Sequence, residues 1–246
     1  MSKYHKIQSI YKRYDKGENK GKFRVGEYSR PEFENLFYAK WYIEEKLDGM
    51  NTRIILKKFK EESEIPEKWL RLDSINDIKD GIKFGLFMSG KTDKAEIPDG
   101  IFDYCNYKFD IGNVIKVFPF FLEKDEVDVI TLYGEGIGEK IQKGGKYVND
   151  SFEGFKNKFV LFDVKIQNTY LSKREDVSNL ANELNVDMVP FIARQDLLTV
   201  IDLCKNGFSS VYGDFEAEGV VARFNPDLYN VKGERILTKC KVKDFR

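Results

Sequence analysis

Short strand-like runs recur along this chain without a regular alternation of strand and helix, and that pattern narrows the available folds more than any other feature. Trp41-Tyr42-Ile43 leads into Lys46-Leu47-Asp48-Gly49, and Arg53-Ile54-Ile55-Leu56 follows directly, so two extended runs flank a glycine turn. Further strands are expected at Ile82 to Met88, Val127 to Tyr133, Phe159 to Ile166, Gly219 to Phe224 and Ile236 to Val242. Helical signals are fewer. Ser172-Lys173-Arg174-Glu175 has capping-box spacing ahead of Val177, Leu180, Ala181 and Leu184. Asp196 can cap a helix from Leu197 to Lys205, which Gly207 would end. Tyr14 to Arg30, rich in Lys, Gly, Asp and Glu, reads as a solvated loop, and Phe102 to Glu126 carries no interpretable motif. The expected fold is α+β, built on antiparallel sheets with flanking helices. With 246 residues, a single domain over 1–246 is the default.

Charge and rare residues then restrict the chemistry. Lys plus Arg and Asp plus Glu both number 41, so the net charge is zero and any basic surface must be a local patch. That argues against a protein that simply coats nucleic acid. The three cysteines, Cys105, Cys204 and Cys240, lie far apart with no CxxC spacing, which argues for a reducing compartment and against a zinc site or disulfide framework. His5 is the only histidine, which excludes a His-pair metal site and argues against a Ser-His-Asp triad. Chemistry must run on Lys, Arg, Asp and Glu. The charged N-terminus lacks an apolar core like that of a signal peptide, and no stretch is long enough to span a bilayer. A cytoplasmic protein without a membrane partner is expected.

Lys46-Leu47-Asp48-Gly49-Met50-Asn51 puts an amine at a strand end, a carboxylate two residues on, and a glycine that lets backbone turn tightly near a ligand. A lysine attacks a phosphoryl centre only as the neutral amine, so a functional Lys46 needs burial or nearby cations. A lone Lys-x-Asp-Gly arises by chance in roughly one chain in ten or twenty of this length. Its company matters more. Lys239 and Lys241, two apart in a strand, point to one face and can meet one polyphosphate. Glu218 opens an otherwise apolar strand, where an idle carboxylate is out of place.

Lys46-x-Asp48-Gly49 resembles the first motif of the covalent nucleotidyltransferases, the superfamily of ATP-dependent ligases and mRNA capping enzymes. Leu132-Tyr133-Gly134-Glu135-Gly136 resembles the third motif and Phe159-Val160-Leu161-Phe162-Asp163 the one that follows. Glu218-Gly219-Val220-Val221-Ala222-Arg223 resembles the fourth, and Lys239-Cys240-Lys241 the fifth. The resemblance implies Lys46 as the residue that carries AMP, with Asp48, Lys239 and Lys241 in the catalytic set. It implies a contact from Glu45 to the base edge, from Glu135 to the ribose hydroxyls and from Arg223 to phosphate. It also implies Glu218 as holder of Mg2+ (or Mn2+), a hard ion suited to oxygen ligands and phosphate. Phe162 would stack on adenine, although between Val160 and Val164 it reads equally as ordinary core.

Within the superfamily the chain is similar to the small phage-type RNA ligases. Asn51 stands where DNA ligases usually carry Arg, and Arg53 recurs in single-domain relatives, where it could touch phosphate. Gly90-Lys91-Thr92-Asp93 resembles a Gly-Arg-Thr-Asp stretch of these ligases; Lys91 keeps the charge but loses the planar fork. The sequence stops at Arg246, right after the fifth motif, so no C-terminal OB-fold is expected. The implied substrates are ATP and RNA with 5′-phosphate and 3′-hydroxyl ends, with an end-healing repair partner as a further expectation. A minimal DNA ligase, a guanylyltransferase core and a non-catalytic module that binds nucleotide or RNA ends are the alternatives.

Overall fold

A computed structural model describes residues 4–79, 81–141, 147 and 153–246. The chain opens with β1 (Gln8–Ser9), β2 (Tyr11–Arg13), β3 (Phe23–Tyr28), α1 (Pro31–Asn35), β4 (Trp41–Lys46) and β5 (Met50–Phe59). It continues through β6 (Leu70–Lys79), β7 (Ile82–Gly90), α2 (Asp99–Lys108), α3 (Ile111–Val117), α4 (Phe120–Glu123), β8 (Val129–Gly138) and β9 (Asn157–Ile166). Then come β10 (Thr169–Tyr170), α5 (Arg174–Glu183), β11 (Asp187–Met188), β12 (Phe191–Gln195), α6 (Leu197–Asn206), β13 (Gly219–Arg223) and β14 (Leu237–Lys241). A 3-10 turn, Val242–Phe245, follows β14. The fold is α+β. Contacts divide it into two compact units, a larger one of Tyr4 and Asp48–Met188 and a smaller one of His5–Leu47 and Val189–Arg246. The chain passes between them at Tyr4–His5, at Met188–Val189 and at the Leu47–Asp48 peptide bond, the last inside the Lys-x-Asp-Gly motif.

In the smaller unit, a five-stranded sheet runs in the order β1-β14-β13-β4-β12. β1 is parallel to β14, and the other pairs are antiparallel. Side chains alternate across a sheet, and the alternation here separates core from chemistry. Trp41, Ile43, Val220, Ala222 and Cys240 are fully buried and pack with Leu197, Val200 and Cys204 of α6. The intervening positions, Tyr42, Glu44, Lys46, Val221, Arg223, Lys239 and Lys241, share the opposite face. Asp196 caps α6 by accepting from Thr199 N at 3.0 Å, and Gly207, at φ 76°, ends it, as the sequence predicts.

The larger unit carries a sheet in the order β10-β9-β8-β5-β7-β6, with β11 parallel to β9. Ile54, Leu56, Leu86, Met88, Leu132 and Leu161 face a layer formed by α2, α3 and α5 through Ile101, Tyr104, Phe109, Val114 and Val177. Each fully buried Leu or Phe here contributes about 1.5–3 kcal/mol relative to exposure. A smaller cluster of Ile55, Phe59, Trp69 and Phe87 also packs in this unit.

Two expectations are corrected. Tyr14 to Arg30 is not all loop, because Phe23–Tyr28 pairs with Tyr11–Arg13 as a hairpin whose buried Phe23 fixes the register. α5 starts one residue later than the capping-box spacing places it, with Lys173 rather than Ser172 at the N-cap. The sheets are built mainly from antiparallel pairs, as expected, with β1 and β11 joining in parallel. Phe102 to Glu126 is mostly helical, with α3 capped by Asp110 accepting from Asn113 N at 2.9 Å. Among the described residues no helix is long and apolar enough to cross a membrane.

Candidate active site

In the smaller unit the lysines converge because of one glycine. Gly219 is the register partner of both Lys46 on β4 and Lys241 on β14. Its φ is +154°, and a Cβ would lie 2.1 Å from the Cys240 carbonyl oxygen, so no other residue fits. Glu218, immediately before it, accepts hydrogen bonds from both Lys46 Nζ and Lys241 Nζ. Lys46 Nζ also donates to the Leu47 carbonyl at 3.3 Å. The Glu218 side chain is only 10% exposed. Burial pushes its carboxyl up, but the Lys46 charge and the bonds from Lys241 and Lys46 outweigh burial and hold it below the usual carboxylate range. Lys239, paired with Val221, stands on the same face. Burial lowers its ammonium, the charges of Lys241 and Lys46 lower it further, Glu218 opposes them, and Arg13 adds to the lowering. Three lysines around one carboxylate leave a surplus of positive charge suited to a polyanion.

The same face holds an internal ion pair. Arg223 Nε lies 3.1 Å from Glu44 Oε2, with both side chains at most 2% exposed. Glu45 points to the other face, where its carboxylate accepts from Ser210 Oγ at 2.5 Å and from Val211 N at 2.9 Å. Burial raises its carboxyl more than these two bonds lower it.

In the larger unit the other half of the first motif is tied down through its backbone. Asp48 N–H donates to Tyr147 Oη at 2.9 Å, and Gly49 N–H donates to Glu135 Oε1 at 3.1 Å. Gly49 passes so close to β8 that a Cβ would lie 2.3 Å from the Gly136 carbonyl oxygen. Asn51 is the register partner of Glu135, and its buried Oδ1 has no hydrogen-bond partner among the described residues. A buried acceptor left open is a place for a ligand or water donor. Phe162 is half-buried, with the Tyr4 ring edge-on at 5.1 Å and the Tyr133 ring nearly parallel at 6.5 Å. Its carbonyl accepts from Arg174 Nη1 at 2.9 Å. Asp163 is fully buried and accepts from Tyr4 Oη at 2.7 Å.

Arg53 is also fully buried. Its Nε donates to the Gly90 carbonyl at 2.7 Å, and its Nη2 to Ser89 Oγ and Asp93 Oδ1, each at 2.8 Å. The guanidinium thus holds the start of the loop on which Lys91 stands exposed. The structure therefore gathers Lys46, Arg223, Glu218, Lys239 and Lys241 in one unit, and Asp48, Asn51, Glu135 and Phe162 in the other. Glu44, Arg13, Tyr4 and Tyr147 escaped the sequence reading. Only Glu44 left a trace there, since it stands two residues before Lys46 and so shares its face.

The RNA ligase family profile matches residues 39–241. This chain belongs to the RNA ligase family. Solved structures of Naegleria gruberi RNA ligase share its fold. One variant with ATP and Mn has a TM-score of 0.53 at 18% identity over 87% of this chain and 54% of that one. A variant with ATP and Mn has a TM-score of 0.54 at 17% identity over 98% and 56%. The form with pyrophosphate has a TM-score of 0.53 at 18% identity over 86% and 52%. This family member thus spans about half the length of those ligases. No curated protein matches it.

Proposed function

We propose that this chain is an ATP-dependent RNA ligase in which Lys46 becomes adenylylated, passes AMP to an RNA 5′-phosphate, and so enables sealing by a 3′-hydroxyl. The observation that carries this reading is the Glu218 carboxylate held between Lys46 and Lys241, with Lys239 on the same face. Family membership supports RNA as the polynucleotide, and the Naegleria gruberi ligase is solved with ATP and Mn and with pyrophosphate.

Lys46 Nζ attacks the α-phosphorus of ATP, a nitrogen–phosphorus bond forms, the bond to the bridging oxygen breaks, and pyrophosphate leaves as the amine loses its proton. Attack requires the neutral amine, so the ion pair to Glu218 has to open first. Lys239 and Lys241 neutralise charge on the triphosphate and hold it in line. The RNA 5′-phosphate then takes AMP from Lys46, and the 3′-hydroxyl oxygen displaces AMP as the phosphodiester forms. By the motif resemblance, Glu135 takes the ribose hydroxyls and Phe162 stacks on adenine; Asn51 Oδ1, an open acceptor, suits a ligand hydroxyl or amine. Among the described residues no three metal-type side chains cluster. One carboxylate with substrate phosphates and water nonetheless fits Mg2+ or Mn2+, and Glu218 is the residue that would hold it. When bound, that ion supplies charge neutralisation on phosphate oxygens.

The test is incubation with α-labelled ATP or GTP and Mg2+, comparing the wild type with Lys46→Ala. Label from ATP that survives denaturation and vanishes in the variant is expected, followed by sealing of nicked RNA in preference to nicked DNA. Label from GTP alone would favour a guanylyltransferase, and label from neither would leave a binding module.

A further inference from the structure

The β2–β3 hairpin in the smaller unit has a composition unlike the rest of this charge-balanced chain. From Lys12 to Arg24 it carries six Lys and Arg residues against two acids, Asp15 and Glu18. Lys16, Lys20 and Lys22 are exposed and make no ion pair among the described residues, whereas Lys12 and Arg24 both reach Glu27, at 4.0 and 2.6 Å. Tyr14 is 42% exposed, and the Arg24 guanidinium lies 5.6 Å from its ring centroid.

The loop is built rather than loose. Tyr14 N–H donates to the Lys22 carbonyl at 3.1 Å, and Gly21 N–H to the Tyr14 carbonyl at 2.8 Å. Arg13 Nη1 donates to the Gly21 carbonyl at 2.7 Å, closing the loop from inside. Arg13 Nη2 reaches Asp244 Oδ2 at 2.7 Å, and the same carboxylate oxygen accepts from Lys241 N–H at 3.2 Å. One carboxylate therefore ties the hairpin base to the strand that carries Lys239 and Lys241. β1, which leads into the hairpin, pairs Ser9 with Lys239 on that strand.

We propose that the β2–β3 hairpin is a grip for the RNA sugar-phosphate backbone, with Lys16, Lys20 and Lys22 as its phosphate contacts and Tyr14 as a stacking face beside them. Unpaired lysines interleaved with an exposed aromatic are the means by which proteins hold nucleic-acid strands without reading sequence. A surface for anionic lipid would have no use for anchorage to the reactive strand through Asp244. The inference rests on the RNA ligase reading only for the identity of the strand.

The experiment is fluorescence anisotropy with a labelled nicked RNA duplex between about 50 and 200 mM salt. The variant Lys16→Glu/Lys20→Glu/Lys22→Glu is compared with wild type and with Lys68→Glu/Lys116→Glu/Lys205→Glu, which changes net charge equally at other exposed sites. Circular dichroism melting establishes that each variant is folded. The hairpin variant is expected to bind about tenfold or more weakly, with a salt slope shallower by about 2, while the control stays near wild type. Equal weakening in both variants overturns the proposal, as does a wild type that binds phosphatidylserine vesicles and not RNA. Lysyl-AMP formation by the wild type is scored separately. Label without a hairpin effect sinks the grip and leaves the ligase; a hairpin effect without label does the reverse.

Discussion

Arg223 Nε and Glu44 Oε2 lie 3.1 Å apart on neighbouring strands, both side chains all but excluded from solvent, on the face that also bears Lys46 and Lys239. Neither charge has water to fall back on if the other is removed. Arg223→Met or Glu44→Met alone is therefore expected to cost about 3–5 kcal/mol of stability, whereas the paired change Arg223→Met/Glu44→Met costs much less. Urea unfolding of the four proteins checks this; strictly additive single effects would show that the two charges do not depend on each other.

Lys239 is crowded by two ammonium groups in a partly buried place, an arrangement that serves phosphate binding at the expense of the empty fold. A base whose native pKa is lowered destabilises the fold while protonated, and that penalty is relieved as pH rises from the lowered native value towards the ordinary value near 10.5. Lys239→Met should thus raise the unfolding free energy near neutral pH, on the order of 1 kcal/mol, and flatten its rise on the alkaline side. Adenylylation should fall by at least about 100-fold. Thermal melts across pH, set beside label transfer from ATP, test both halves; a lower melting temperature would contradict the crowding argument.

The parts of this site that follow from strand periodicity were legible before any coordinates. Lys239 and Lys241 share a face because they are two apart, and Lys46 ends β4 because Gly49 allows the turn that follows. Glu44 pairs with Arg223 only because β4 lies beside β13, and nothing local announces that neighbour. Tyr4 reaches Asp163 across 159 positions, and Arg13 reaches Asp244 across 231, so neither contact has a sequence signature. The helices between Asp99 and Glu123 were hidden for another reason. α3 and α4 span only seven and four residues, too short to show a period, although Asp110 at the α3 N-cap was a signal that could have been used. β3 was obscured by Gly26 and Glu27, which suit a turn as well as an edge strand.

Acid should expose a second ion pair of the smaller unit, Arg30 with Glu32. The Arg30 guanidinium beside Glu32 holds its carboxyl down at about 2, with help from Asn230 and against a smaller opposing effect of burial. A depressed native pKa gives stability that is complete above the unfolded value of 4.5 and is lost as pH falls through the native one. Between pH 4.5 and about 2 the wild type should lose on the order of 2 kcal/mol through this group, and Glu32→Gln should lose correspondingly less. Acid titration followed by circular dichroism gives the answer, and identical acid limbs for both proteins would remove Glu32 from the account.

Arg53 carries the last prediction. Its fully buried guanidinium makes three hydrogen bonds to Ser89, Gly90 and Asp93, and Asp93 also accepts from Trp69 Nε1 at 3.1 Å. Lysine keeps the charge but cannot reproduce the fork, so Arg53→Lys should leave at least one of these acceptors unpaired and cost about 2–3 kcal/mol. The loss should be concentrated where the fork acts. Amide hydrogen exchange over Ser89 to Asp93 is expected to speed up well beyond that in β13 and β14, which belong to the other unit. If exchange accelerates equally in both units, Arg53 supports global stability, and the idea that it specifically fastens the loop bearing Lys91 has to be abandoned.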